Sequence, residues 1–191
     1  MENWTLKRVR GDEETGMRLD LNRHPQTRSQ VGRVVVSIGR DADILRVTFR
    51  LPDDSDALRL PALGEPRRGD RLWERTCFEL FIRAVGDAGY YEYNLSPSRA
   101  WAIYRFDDYR AGMAEADFLA PAIDAETRGA RFELSARISI PSLGALDWRL
   151  GLSAVIEETN GTKSYWALAH PPGAPDFHHP DCFALRMPRL P

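Results

Sequence analysis

The chain has 191 residues, 43% of them hydrophobic and 28% charged, with a formal net charge of −2. That length suits a single folded domain over 1–191 with an apolar core, and the near-neutral balance argues against a nucleic-acid partner, which would call for clustered excess Lys and Arg. Met1–Arg10 lacks the apolar stretch of a secretory signal, and no run approaches the roughly 18–20 apolar residues of a membrane span, so the expectation is a cytoplasmic protein with no membrane partner.

The first strong pattern is alternation. Val34, Val36 and Ile38 alternate with Val35 and Ser37, and after the turn-forming stretch Gly39-Arg40-Asp41-Ala42-Asp43 come Leu45, Val47, Phe49 and Leu51. Period-two patterning around a turn predicts a hairpin with one buried face. Pro52–Asp70, rich in Asp, Pro, Gly and Arg, reads as a long loop. Phe78, Leu80 and Ile82 then alternate with Cys77, Glu79 and Phe81. Tyr91, Tyr93 and Leu95 alternate with Glu92 and Asn94, and Ser96-Pro97-Ser98-Arg99 turns the chain into Ala100–Phe106.

Asp108–Ala116 is expected to form one or two helical turns and Pro141–Gly144 a single turn. Phe132, Leu134, Ala136, Ile138 and Ile140 form one apolar line, and Trp148, Leu150, Leu152, Ala154 and Ile156 another. Tyr165–Ala169 and Phe183–Met187 read as two closing short strands. About nine or ten short strands with one or two helical turns predict an all-β fold, an antiparallel β-sandwich of jelly-roll or immunoglobulin-like type. Cys77 and Cys182 are expected as free thiols, or as a pair if their strands are neighbours.

Two strands carry an unusual polar face. If Cys77–Ile82 pairs with Tyr91–Leu95 as a hairpin, Glu79, Glu92 and Asn94 project from one sheet surface, with Trp73, Tyr90, Trp101 and Tyr104 nearby. Carboxylates and an amide can take the hydroxyls of a small polar ring while aromatic walls cover its apolar faces. A solvated sheet face with the aromatics packed under loops would give the same pattern. The segment Trp166–Asp181 is rigidified by four prolines and holds His170, His178 and His179. Its His and Asp residues match no zinc spacing, and Asp53-Asp54-Ser55-Asp56 offers oxygens for calcium without the spacing of a known loop.

The stretch Leu72–Ile82 (LWERTCFELFI) resembles the W-E-x-D-x-V-E-x-F-I pattern of family 9 carbohydrate-binding modules. Pro175–Met187 resembles that family's closing S-W-x-D-P-x-x-F-x-x-L-R-L, and Tyr90–Asn94 stands at its F-R-V-N strand. Trp73–Phe81, Asn94–Ser98 with Trp101, and Pro175–His178 also look like an uncharacterised bacterial DOMON-like group of the same superfamily. The resemblance implies a two-ring sugar clamp falling on Trp73 and Phe177, with Glu79 as a hydroxyl-binding glutamate. Three departures bear on the ligand: Phe177 replaces a tryptophan, Glu92 an arginine, and Val155 a polar amide.

The expected function is therefore non-catalytic binding of a small carbohydrate-like molecule by Trp73, Glu79, Glu92, Asn94, Trp101, Phe177 and His178, with no catalytic or metal-ligating residue and no cofactor. Two alternatives stand beside it. Glu79 and Glu92 could be the acid–base pair of a glycoside hydrolase. Some DOMON relatives hold haem through Met and His, for which Met113, Met187, His24, His170 and His178 are available.

Overall fold

The computed structural model describes residues 16–53 and 55–190. The N-terminal stretch Met1–Arg10 read for targeting, and Asp54 of the acidic run, lie outside them. Two layers of strands enclose the core. One contains β1 (Met17–Arg23), β2 (Val34–Asp41), β3 (Ile44–Leu51), β10 (Arg131–Ser139) and β9 (Ala122–Arg128), hydrogen-bonded in that order. The other runs from β1 through β12 (Lys163–Ala167), β11 (Trp148–Glu157), β5 (Cys77–Ala84), β6 (Tyr90–Leu95) and β7 (Ala100–Phe106) to the two-residue β4 (Arg67–Arg68). Two short strands complete it: β8 (Ala114–Glu115) pairs with β7, and β13 (Leu185–Met187) with β11. Among the described residues all strand pairings are antiparallel except β4 with β7. The all-β sandwich expected from the alternation is present, and among the described residues no helix is long and apolar enough to cross a membrane.

β1 belongs to both layers. Met17–Leu21 pair with β2, whereas Asn22 and Arg23 pair with Ala167 and Trp166 of β12. The inner faces follow the predicted parity. Phe78, Leu80 and Ile82 of β5 face Val47, Phe49 and Leu51 of β3 and Leu134 and Ile138 of β10 across one apolar core. At its centre the Phe78 ring lies 5.0 Å from Phe49 and 5.8 Å from Phe132, tying the layers together through aromatic contacts.

The structure differs from the sequence expectation in several places. β2 continues through Gly39 and Arg40 to Asp41, so the hairpin turns at Ala42 (φ 49°) and Asp43 alone. The predicted loop Pro52–Asp70 contains a 3₁₀ turn at Ser55–Ala57 and β4. Asp108–Ala116 forms no helix: it is a tight turn closed by Asp108 and Ala111, followed by β8. The strand backbone there is drawn into pairing with Tyr104 and Arg105 of β7, a tertiary preference that local propensity does not encode. β1, β4, β8 and β9 add to the predicted strands, giving thirteen among the described residues.

Candidate functional site

The outer face of the larger layer is where the polar residues collect. The β5–β6 register sets Glu79 opposite Asn94 and Phe81 opposite Glu92. The two carboxylates are thus diagonal neighbours on one surface. On the flanking strands the same parity adds Ser153 of β11, opposite Glu79, and Tyr104 of β7, opposite Glu92.

Glu79 and Glu92 are only 3% and 5% exposed. Ser153 Oγ donates to Glu79 Oε2 at 3.1 Å, and Asn94 Nδ2 to Glu92 Oε1 at 2.8 Å. Cys77 Sγ in turn donates to Asn94 Oδ1 at 3.5 Å. Burial, reinforced by the charge of Glu92, pushes Glu79 well above the usual carboxylate range. Burial likewise raises Glu92 to about 7 against the hydrogen bond from Asn94. The two titrate as one interacting pair.

Trp73 is held at one margin of this surface. It sits in a 3₁₀ turn, Leu72–Glu74, entered through Arg71 in a left-handed conformation (φ 52°). Tyr104 Oη donates to Asp70 Oδ1 at 2.7 Å, and Lys163 Nζ donates to the Glu74 carbonyl at 2.6 Å, fixing both ends of the turn. The half-buried Trp73 ring stands edge-on to Tyr104 at 6.0 Å.

Phe177 occupies the opposite margin, 6.1 Å from Tyr165 of β12. It belongs to the arch of residues 168–184 that leaves β12, passes over the outer face, and returns as β13 along the same side of β11. Trp73 and Phe177 pack against the same outer apolar cluster, built around Phe81, Tyr90, Phe106 and Phe183. Tyr104 and Tyr165 are four strand spacings apart, roughly 19 Å along the sheet, with Glu92, Asn94, Glu79 and Ser153 between them. Phe177 is only 8% exposed, so Trp73 offers the larger open ring.

The arch is anchored by Asp176. Its Oδ1 accepts from Arg110 Nη2 at 2.7 Å and from the His178 backbone N–H at 3.1 Å, while its carbonyl accepts from Cys182 Sγ. Although burial acts the other way, hydrogen bonds from Tyr109 and Arg110 hold the Asp176 carboxyl below its ordinary range. Gly151 on β11 lets the returning arch touch the sheet, since a Cβ there would meet the Cys182 carbonyl at 3.1 Å and Phe81 at 3.3 Å. His178 is wedged among Phe81, Tyr90 and Phe106, with Nδ1 2.8 Å from Tyr90 Oη and Nε2 3.8 Å from Glu92 Oε2. Burial first, and then the Arg110 charge, lower His178 to about 4. At neutral pH it is an uncharged neighbour of Glu92.

No family model and no curated protein matches this chain. Solved structures do. A protein of Bacteroides uniformis ATCC 8492 for which carbohydrate binding has been suggested superposes with a TM-score of 0.60 at 16% identity, over 78% of this chain and 75% of that one. A family 9 carbohydrate-binding module of Caldicellulosiruptor kristjanssonii in complex with cellotriose gives 0.51 at 11% identity, over 80% and 74%. A family 9 module of the same organism in complex with glucose gives 0.50 at 12%, over 78% and 72%. The fold is that of family 9 carbohydrate-binding modules.

Within this module-type fold, four of the seven predicted site residues come together on one face, Glu79, Glu92, Asn94 and His178, with Trp73 and Phe177 at its two margins. Trp101 does not. It follows the parity of Ile103 and packs against the core between the layers, with the Arg68 guanidinium 4.7 Å from its ring. Tyr104, on the outward parity, supplies the aromatic surface at that margin. Ser153 was missed, although alternation with Leu152 and Ala154 places it outward.

The cysteines are free and buried, Cys77 in the floor and Cys182 under the arch. The arch, and not the His24 turn, covers the face. His24 lies behind it, its ring edge-on to His170 at 4.8 Å, with His170 6.2 Å from Phe177. Met113 is exposed and Met187 packs toward the inner core, on the other side of the sheet from His178.

Proposed function

We propose that the chain binds, without turning it over, a single sugar or similar polar ring on the outer face of the larger layer. Trp73 would stack on the ring, Phe177 would bound it, and Glu79, Glu92 and Asn94 would take its polar groups. The observation that carries this reading is the buried carboxylate–amide floor set between two aromatic margins, Trp73–Tyr104 and Tyr165–Phe177. Buried carboxyls are costly unless they serve a partner, and Glu79 and Glu92, 3% and 5% exposed, are met by the Ser153 hydroxyl and the Asn94 amide. The module-type fold supports the reading, as does the packing of Trp73 and Phe177 against the outer cluster of this face.

The test is calorimetry against a panel of mono- and oligosaccharides, with Trp73→Ala as control. Binding lost in the variant supports the proposal. No heat from any sugar at millimolar concentration refutes it.

One observation favours a second reading. Glu79 and Glu92 are coupled carboxylates, with Glu92 raised to about 7, which is the kind of environment a glycosidase gives its general acid. Turnover of chromogenic glycosides, abolished by Glu79→Gln, would establish it; absence of turnover would remove it.

A further inference from the structure

Four glutamates are buried among the described residues, and one of them, Glu157, is paired with arginine. Glu157 is paired with Arg75 at 3.0 Å and Arg59 at 3.6 Å. Glu158 accepts from the Ser29 hydroxyl at 2.6 Å and the Gln30 backbone N–H at 2.9 Å through Oε1, while Asn160 Nδ2 approaches Oε2 at 3.5 Å. Among the described residues Glu79 and Glu92 have no ion pair with arginine or lysine, and their hydrogen-bond donors are the Ser153 hydroxyl and the Asn94 amide. Arg110, on the turn between β7 and β8, is paired with Asp176 and acts on Glu92 through its charge alone, without an ion pair. His178 stands 3.8 Å from Glu92 Oε2 and is uncharged at neutral pH.

Donors are equally scarce on this floor. The Ser153 hydroxyl is used by Glu79, one N–H of the Asn94 amide by Glu92, the Cys77 thiol by Asn94, and the Tyr90 hydroxyl and His178 Nδ1 face each other. Beside the second Asn94 N–H, what faces a ligand is Glu79 Oε1 and Glu92 Oε2, carboxyl oxygens that become acceptors and negative charges when the pair loses its protons. A neutral sugar hydroxyl brings one hydrogen and no charge. A protonated amine brings three hydrogens and the missing charge, and the faces of Trp73 and Tyr104 at the margin attract a cation as well.

We propose that the ligand of this site is cationic, a sugar or sugar-like ring bearing a protonated amine whose N–H groups bridge Glu79 Oε1 and Glu92 Oε2. The inference rests on the sugar-binding reading and narrows it to amino-substituted rings. Binding such a cation favours the ionised carboxylates, so protons leave the pair as the complex forms.

The experiment is calorimetry near neutral pH with glucosamine, glucose, N-acetylglucosamine and cyclohexylamine, repeated in two buffers of different ionisation enthalpy. Glucosamine is expected to bind roughly tenfold or more tightly than glucose or its N-acetyl form, with a buffer-dependent heat that reports proton release. Both signatures should vanish in Glu92→Gln and in the Glu79→Gln/Glu92→Gln double variant, each checked for folding by thermal melting. Equal affinity for glucose or the acetylated sugar overturns the cation and leaves the sugar site standing. Cyclohexylamine binding with no response from any sugar upholds the cation and overturns the sugar. Silence from all four probes overturns both.

Discussion

Replacing Glu92 by Gln should make the protein more stable at high pH and leave it unchanged at low pH. The carboxyl rises from an ordinary 4.5 to about 7 in the folded chain. At about 1.4 kcal/mol per tenfold change in proton affinity, the ionised form costs the fold roughly 3 kcal/mol. The folded state holds the proton more tightly than the unfolded chain does. The stability contributed by the neutral form is therefore complete below 4.5, falls away between 4.5 and about 7, and is gone above that. Gln keeps the Oε1 acceptor that Asn94 uses and has nothing to ionise. It also removes the charge that helps to raise Glu79, which adds to the gain.

For a chain of this size, 3 kcal/mol corresponds to a rise of about 6–12 °C in Tm. Denaturation of both proteins at pH 4.5 and pH 8 measures it. Carboxylates such as Asp176 titrate in both and cancel in the difference. A gap between variant and parent that is the same at the two pH values would refute the account of a buried, uncompensated pair.

Two further outcomes follow from the packing. Phe78→Ala removes a fully buried ring that touches Phe49 and Phe132 across the layers, and should cost about 3–5 kcal/mol in urea denaturation; a loss below 1 kcal/mol would mean the layers close over the gap. Asp176→Ala leaves Arg110 and the His178 N–H without their acceptor, so a loss of about 1–3 kcal/mol is expected, together with faster proteolysis within 168–184 and unchanged cleavage elsewhere.

Where a strand has one buried face, its parity was legible from the residues alone. Phe78, Leu80 and Ile82 declare the inward side of β5, which forces Glu79 outward, and the same reasoning on Tyr91 and Tyr93 sends Glu92 and Asn94 to the same surface. Trp101 shows what happens when aromatic density is weighed above parity: Ile103 two positions on fixes its side, and that side is the core. β1 was hidden because only Leu21 in it is fully buried, and β9 because Ile123 is its one buried residue. An edge strand with one buried position carries no alternation to read. The arch was beyond reach for another reason. Its anchors join Asp176 to Arg110, 66 positions away, and nothing local announces such a partner.

β1, divided between the two layers, has a mechanical consequence. With Met17–Leu21 bonded to β2 and Asn22–Arg23 to β12, a single backbone acts as the hinge pin of the structure. The layers cannot slide or part at this edge without tearing one ladder or the other. The strands beneath the acidic floor therefore sit on a frame closed along one side, and whatever freedom the surface has belongs to the arch above it.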